Sequence, residues 1–370
     1  MVLTQTNATG DKKDLSKLRH HYIKVALFDE NASVFKIDDV ILNKDQLETH
    51  FDVSRVFSVA AVLPNYQDLA FIKLRLDQKS SSFFKDNFFA IKEQDDLAKG
   101  IIIRAFYDNC MDAVTKSTEF LDFMISIVSL DSGHTIVDMA LSYISSILRA
   151  TESDIHMGIN APTTYLPKKY HATYMSIVFQ ACYKRLQKEE NPGIKISLVD
   201  RLITYATTTS EINILKDWLL GKNDLLKEYQ LTIESQWKIV ILLYSDNSFG
   251  EKEKAEIYNK VKENDTSDLK NDYELVIDSI TADDQKRLTL LEEYFNHNTE
   301  MSFEKIRISI SGFNHKVVSQ EKKDKYYGTF YKRFPEYAKK TSSVYSRTVF
   351  EGLLPDSDNI EVILKNLREL

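Results

Sequence analysis

Glycine, cysteine and proline are scarce in this chain of 370 residues, and the first two scarcities close off whole classes of chemistry. Its ten glycines are spread so thinly that no two fall within five residues of each other. The phosphate-cradling G-x-x-x-x-G-K loop, the dinucleotide G-x-G-x-x-G turn and the G-x-S-x-G nucleophile elbow need closer spacing, so none can form. Two cysteines, Cys110 and Cys182, are too few for a disulfide framework and suit a reducing compartment. Both sit on apolar helical patterns and read as core thiols rather than nucleophiles. No apolar run approaches the ~18 residues of a membrane span, and the opening MVLTQTNATGDKKD lacks the apolar stretch of a signal peptide. The expected location is the cytoplasm, away from any membrane.

Histidine chemistry is thin as well. A zinc-peptidase helix needs two histidines four residues apart with a glutamate beside the first, so that both imidazoles meet one metal. None of the eight histidines is followed by Glu, and no two lie four apart. His20 and His21 are adjacent and would point to opposite faces of a strand. The net charge of -7 argues against a general nucleic-acid binder, because phosphate contacts need clustered Lys and Arg. The acid pairs Glu189-Glu190 and Asp283-Asp284 read as exposed or helix-capping carboxylates.

What the chain does have is a change of period. Residues 1–78 alternate apolar and polar residues at a spacing of two, as half-buried strands do. In HYIKVALFD, Ile23, Val25 and Leu27 share one face and Tyr22, Lys24 and Ala26 the other. VLTQT, SVFKIDDVIL, RVFSVAAVL and DLAFIKLRLD read as further strands; in the last, Ala70, Ile72, Leu74 and Leu76 would face inward. Four or five strands make much of a small β-sandwich, one that a truncation would leave incomplete. The strand at the terminus, Val2–Thr6, needs a partner, either within this sheet or in sequence upstream.

Residues 79–370 repeat their apolar residues at three and four, the helical period. Asp95-Asp96 cap a helix carrying Leu97, Ile101, Ile102, Ala105 and Phe106. Later stripes include Ile136 to Leu148, then Tyr174, Ile177, Val178, Ala181 and Arg185, and then Ile214 to Leu219, stopped by Gly221. Thr281 to Asp284 resembles a capping box before Leu288 and Phe295. About twelve helices of three to four turns with short connections describe a mainly α fold, an α-superhelix of antiparallel helix pairs similar to HEAT arrays. The longest irregular segment runs from Thr151 to Lys169.

The aromatic content carries the one candidate site. Tyr326, Tyr327, Phe330, Tyr331, Phe334 and Tyr337 form a dense stripe near Arg333. Packing between adjacent helices is one explanation. The other is a concave surface on which Tyr326, Tyr327, Tyr331 and Arg333 hold a peptide backbone or its C-terminal carboxylate.

Five segments in order resemble the C-terminal half of aminopeptidase N-type zinc metallopeptidases, the group that includes puromycin-sensitive and endoplasmic-reticulum aminopeptidases. LRHHYIKVALFDE is similar to a strand of their sandwich, with His20 where a proline is more usual. LPNYQDLAFIKLRLD, Leu63 to Asp77, resembles the entry to their helical domain. IKEQDDLAKGIIIRAFYDNCMDAVTKSTEFLDFMISIV, ESQWKIVILLYS and YYGTFYKRFPEYAKKTSSVYSRTVFEGLLP resemble its first, middle and closing helices. The resemblance implies a capping portion that closes over a separate zinc domain and limits which peptides enter. The zinc, its ligands and the catalytic glutamate belong to the half missing here, so it implies no catalytic or metal residue in this chain. The implied partners are a peptide substrate and a catalytic zinc-peptidase domain, on the same chain or another, and the isolated chain is expected to be inactive. The competing expectation is a stand-alone, non-catalytic scaffold that binds a peptide or protein. The two differ in what they expect of the sandwich: an apolar face left exposed for a missing half, or polar residues in its place.

Overall fold

In the computed structural model, residues 1–6, 18–51, 58–92, 95–131, 133–148, 165–267, 269–281, 283–296, 298–315 and 318–354, with 361, 364 and 368, are described. The protein is mainly helical, with a small antiparallel sheet region at its N-terminus. The chain divides into two compact units, Met1–Ile144 and Ser145–Leu370. The last strand ends at Tyr66 and the first helix begins at Gln78, well before that division.

Five strands open the first unit: β1 (Val2–Thr4), β2 (His21–Phe28), β3 (Val34–Leu42), β4 (Glu48–His50) and β5 (Ala61–Tyr66). β2 is the centre of a three-stranded sheet, ordered β3-β2-β5 and antiparallel throughout. The terminal strand finds its partner locally, β1 pairing with β4 as a separate ribbon. Ile23, Val25, Leu27, Val40, Leu42 and Val62 make one core, against which Leu3, Phe51, Ala70 and Ile72 pack. This is the alternation read from the sequence, and it yields a partial sandwich.

The opposite face of the sheet is covered at one end only. There the helix α1 (Gln78–Asp86) sets Phe84 edge-on to Phe28, with ring centroids 5.1 Å apart. The Ser80 hydroxyl accepts the Val62 N–H at 3.0 Å. The first helix therefore belongs to the same compact unit as the sheet.

DLAFIKLRLD does not form the expected strand. β5 ends in a turn in which Asn65, Gln67 and Asp68 all have positive φ, at 55°, 72° and 55°. The Asn65 side chain accepts the Ala70 N–H and donates to the Ala70 carbonyl, which clasps the turn shut. The chain is thereby diverted along α2 (Asp96–Met111). Tyr66 donates to Asp95 at the helix N-cap, Arg104 pairs with Asp68, and Lys73 and Arg75 both reach Asp112 at the C-cap. Ala70, Ile72 and Leu74 still turn inward, but the backbone joins no ladder. α3 (Ser117–Leu130) and α4 (His134–Leu148) follow.

Among the described residues there are fifteen helices, where about twelve stripes are legible. The second unit holds α5 (Lys168–Leu186), α6 (Pro192–Tyr205), α7 (Thr209–Leu219), α8 (Ile233–Ser245), α9 (Glu251–Asn264), α10 (Leu269–Thr281), α11 (Asp284–Tyr294), α12 (Phe303–Phe313), α13 (Gln320–Asp324), α14 (Tyr327–Lys340) and α15 (Ser343–Leu353). α6, α8, α10 and α12 pack in succession, with α5, α7, α9 and α11 each against a neighbour in that row. This is the stacking of helix pairs expected of an α-superhelix. Residues 151–164, most of the expected irregular segment, lie outside the described residues.

Local signals explain many helix ends. Gly221 takes φ +71 just past α7, the left-handed cap anticipated there. The α11 cap is Asp283, accepting the Lys286 N–H at 2.8 Å, rather than a box begun by Thr281. In α5 Tyr174, Val178 and Arg185 of the expected stripe are buried, together with Met175, Phe179, Cys182 and Leu186, whereas Ile177 faces outward.

Candidate functional site

The aromatic stripe of α14 is where a peptide-holding surface was expected, and most of it is core. Tyr326, Tyr327 and Tyr331 are all buried, and Tyr326 and Tyr331 pack with Phe295, Phe313, Phe330 and Tyr337 among α11, α12 and α15. Residues spaced at three and four along α14 fall on one face, and that face meets its neighbouring helices. The Tyr326 hydroxyl donates to the Asp284 carbonyl at 3.3 Å. The Tyr331 hydroxyl is buried without a partner, and burial raises its pKa. Three of the four expected contact residues are therefore largely buried side chains. A dense aromatic run buries more apolar area against helices than it could gain at a wet surface.

Arg333 is the fourth, and it is exposed. Its guanidinium donates to Glu292 on α11 at 2.5 Å. With Leu288 and Phe295 this pair borders an open concavity. A carboxylate arriving there would compete with Glu292 for the one cation, so the arrangement has no ready affinity for a peptide C-terminus.

The polar centre of this region is a residue the sequence did not mark. Arg287 is fully buried on α11, its guanidinium 3.8 Å from the Phe313 ring centroid and 5.2 Å from that of Tyr326. It donates to the carbonyls of Ser279 and Phe313, at the ends of α10 and α12. Burial lowers its pKa, and the Tyr326 and Tyr294 hydroxyls oppose that effect. Two helix C-termini supply the negative potential that a carboxylate would usually provide. Within DDQKRLTLLEEY an arginine reads as a solvated face, and nothing local distinguishes it.

Histidines are dispersed. His134 faces Asp138 at 3.4 Å and His171 lies 2.6 Å from the Leu148 carbonyl, each in its own surroundings. Among the described residues no three His, Cys, Asp or Glu side chains gather as a metal-ligand set. Cys110 and Cys182 are both free and buried, and burial pushes the Cys182 thiol up to about 12.

The second candidate surface is the uncovered end of the sheet. Tyr22 on β2 and Phe35, Ile37 and Ile41 on β3 are exposed, Ile41 at 61%. The register places Ile41 across from Tyr22 and Ile37 across from Ala26, so these three large side chains share one face, with Asp39 between the two isoleucines. Asp39 between them accepts from the Tyr22 hydroxyl at 2.6 Å. Alternation is legible in SVFKIDDVIL, but which of its two faces stays bare depends on where α1 stops.

No protein-family model matches the chain, and no curated protein matches it. No helix among the described residues is long and apolar enough to cross a membrane.

Proposed function

We propose that this chain is the C-terminal capping and substrate-restricting portion of a zinc aminopeptidase that removes N-terminal residues from peptides. The reaction centre, with its zinc, belongs to a catalytic domain outside this chain. The reading rests on the five segments that resemble such enzymes and on one structural observation that favours it over a stand-alone scaffold. That observation is the bare apolar face of Tyr22, Phe35, Ile37 and Ile41 on the partial sandwich. Large apolar side chains grouped on an otherwise finished sheet mark a surface that something covers. A scaffold evolved to work alone would carry polar residues there. The stacked helix pairs suit the capping role, and the two buried free thiols suit a reducing, cytoplasmic location.

The role of the chain is then steric and electrostatic rather than chemical. The test is aminopeptidase activity and bound zinc, measured on the purified chain alone and after mixing with a zinc-peptidase catalytic domain. The expected result is no zinc and no activity alone, with altered length preference in the mixture. Amino-acyl amide cleavage by the chelator-washed chain would overturn the proposal.

A further inference from the structure

β3 is the bare edge of the three-stranded sheet: its neighbour on one side is β2, and no backbone hydrogen bond reaches its other side among the described residues. At nine residues it is the longest strand among the described residues. Long open edges invite pairing, and proteins usually blunt them with charges set into the strand. β3 carries such charges, Lys36, Asp38 and Asp39. Lys36 and Asp38 lie on the same side of the sheet, 2.8 Å apart, and both are partly exposed.

Their order decides which partner the edge accepts. Two copies of one strand pair antiparallel about a two-fold axis, and residues the same distance either side of that axis then face each other. An axis at Lys36, Asp38 or Asp39 sets that charge directly against its own copy, which is unfavourable. An axis at Ile37 does the opposite. Lys36 then faces the partner's Asp38, Asp38 faces the partner's Lys36, Val34 faces the partner's Val40, and the two Ile37 side chains meet on the outer face. The charges that deter other registers select this one.

We infer that β3 pairs edge to edge with β3 of a second copy, in a two-fold register centred on Ile37. The product is a continuous six-stranded sheet, ordered β5-β2-β3 in one copy and β3-β2-β5 in the next. Area at a strand edge is modest, so the dimer is reversible and concentration-dependent. The inference does not rest on the aminopeptidase reading, because it uses the edge of the sheet and leaves Tyr22 and Ile41 on the open face.

Sedimentation of the full chain over a range of concentrations tests it, with Lys36→Asp and Asp38→Lys as variants and circular dichroism as the check on folding. Each variant alone places like charges across the axis and should weaken self-association about tenfold. Mixed together, the two variants regain opposite charges at both facing positions and should form heterodimers in preference to either homodimer. No intrachain role of Lys36 or Asp38 predicts that recovery. A wild-type chain that stays monomeric at every concentration overturns the inference. So does a dimer indifferent to both variants, or a mixture without heterodimer preference.

Discussion

Glu211 is a fully buried carboxylate whose hydrogen-bond donors are all neutral. It accepts from the Ser176 hydroxyl at 2.5 Å, the Gln180 amide at 3.2 Å and the backbone N–H groups of Thr207 and Thr208. Burial by itself would raise its pKa, but the bonds from Ser176, Thr207 and Thr208 outweigh that and hold it below the usual glutamate range. A depressed folded pKa means that its stabilisation is present above the unfolded value and fades as pH falls through the folded one. Glu211→Gln should therefore cost about 2 kcal/mol at neutral pH, and the difference should shrink on acidification. Denaturant melts of both proteins across the acid range check this; a gap independent of pH would mean that Glu211 acts by shape alone. Arg287 makes the complementary case for a buried cation. Its planar fork reaches two helix-end carbonyls while stacking on Phe313, which lysine cannot reproduce. Arg287→Lys should destabilise the protein by about 2 kcal/mol or more despite keeping the charge. A melt of Arg287→Lys that matches the wild type would show that charge alone suffices.

Elements meet where side chains permit it, and the α10–α12 crossing is the tightest instance. A Cβ on Gly312 would lie 2.5 Å from the Val276 carbonyl oxygen and 2.9 Å from its Cα. Backbone cannot yield as a flexible side chain does, so Gly312→Ala must push the two helices apart. The Ser279–Ser309 bond at 2.8 Å spans the same crossing and would be strained with it, and Ser309 is also bonded to Tyr294 of α11 at 2.7 Å. The expected cost is about 3 kcal/mol, read from a denaturant melt, whereas Gly328→Ala, with open space around it, should be nearly silent. Equal behaviour of the two variants would refute the close approach. At the same scale, α8 is anchored by Trp237. Its ring stacks on Tyr273 at 5.5 Å and its indole N–H donates to Asp265 at 2.9 Å. The aromatic content that reads as a binding surface is spent in joints of this kind.

At the scale of the molecule, the bare sheet face is where the proposed function can be probed without disturbing the fold. Ile41→Lys adds a charge to an exposed position and should leave stability within about 0.5 kcal/mol. It should also abolish the effect of the chain on a catalytic domain in the mixing experiment; full retention of that effect would separate the face from the function. The strand and helix regions, the helical period of most elements, the caps at Asp95 and Gly221 and the core character of both cysteines were legible in the sequence. Period, capping and burial preference are local, and a few residues carry each of them. The diversion of residues 69–77 from strand to strap was not legible, because it turns on three positive-φ residues and on carboxylates at both ends of α2. Nor was the fate of the α14 tyrosines: a stripe has the same spacing whether it faces solvent or another helix. Arg287 is the sharpest case, a residue with no distinguishing neighbours in sequence whose partners lie 8 and 26 positions away. Sequence by itself determined which face of each element is apolar. Only the tertiary structure decided which of those faces are covered, because covering is a property of two elements and the chain writes down one at a time.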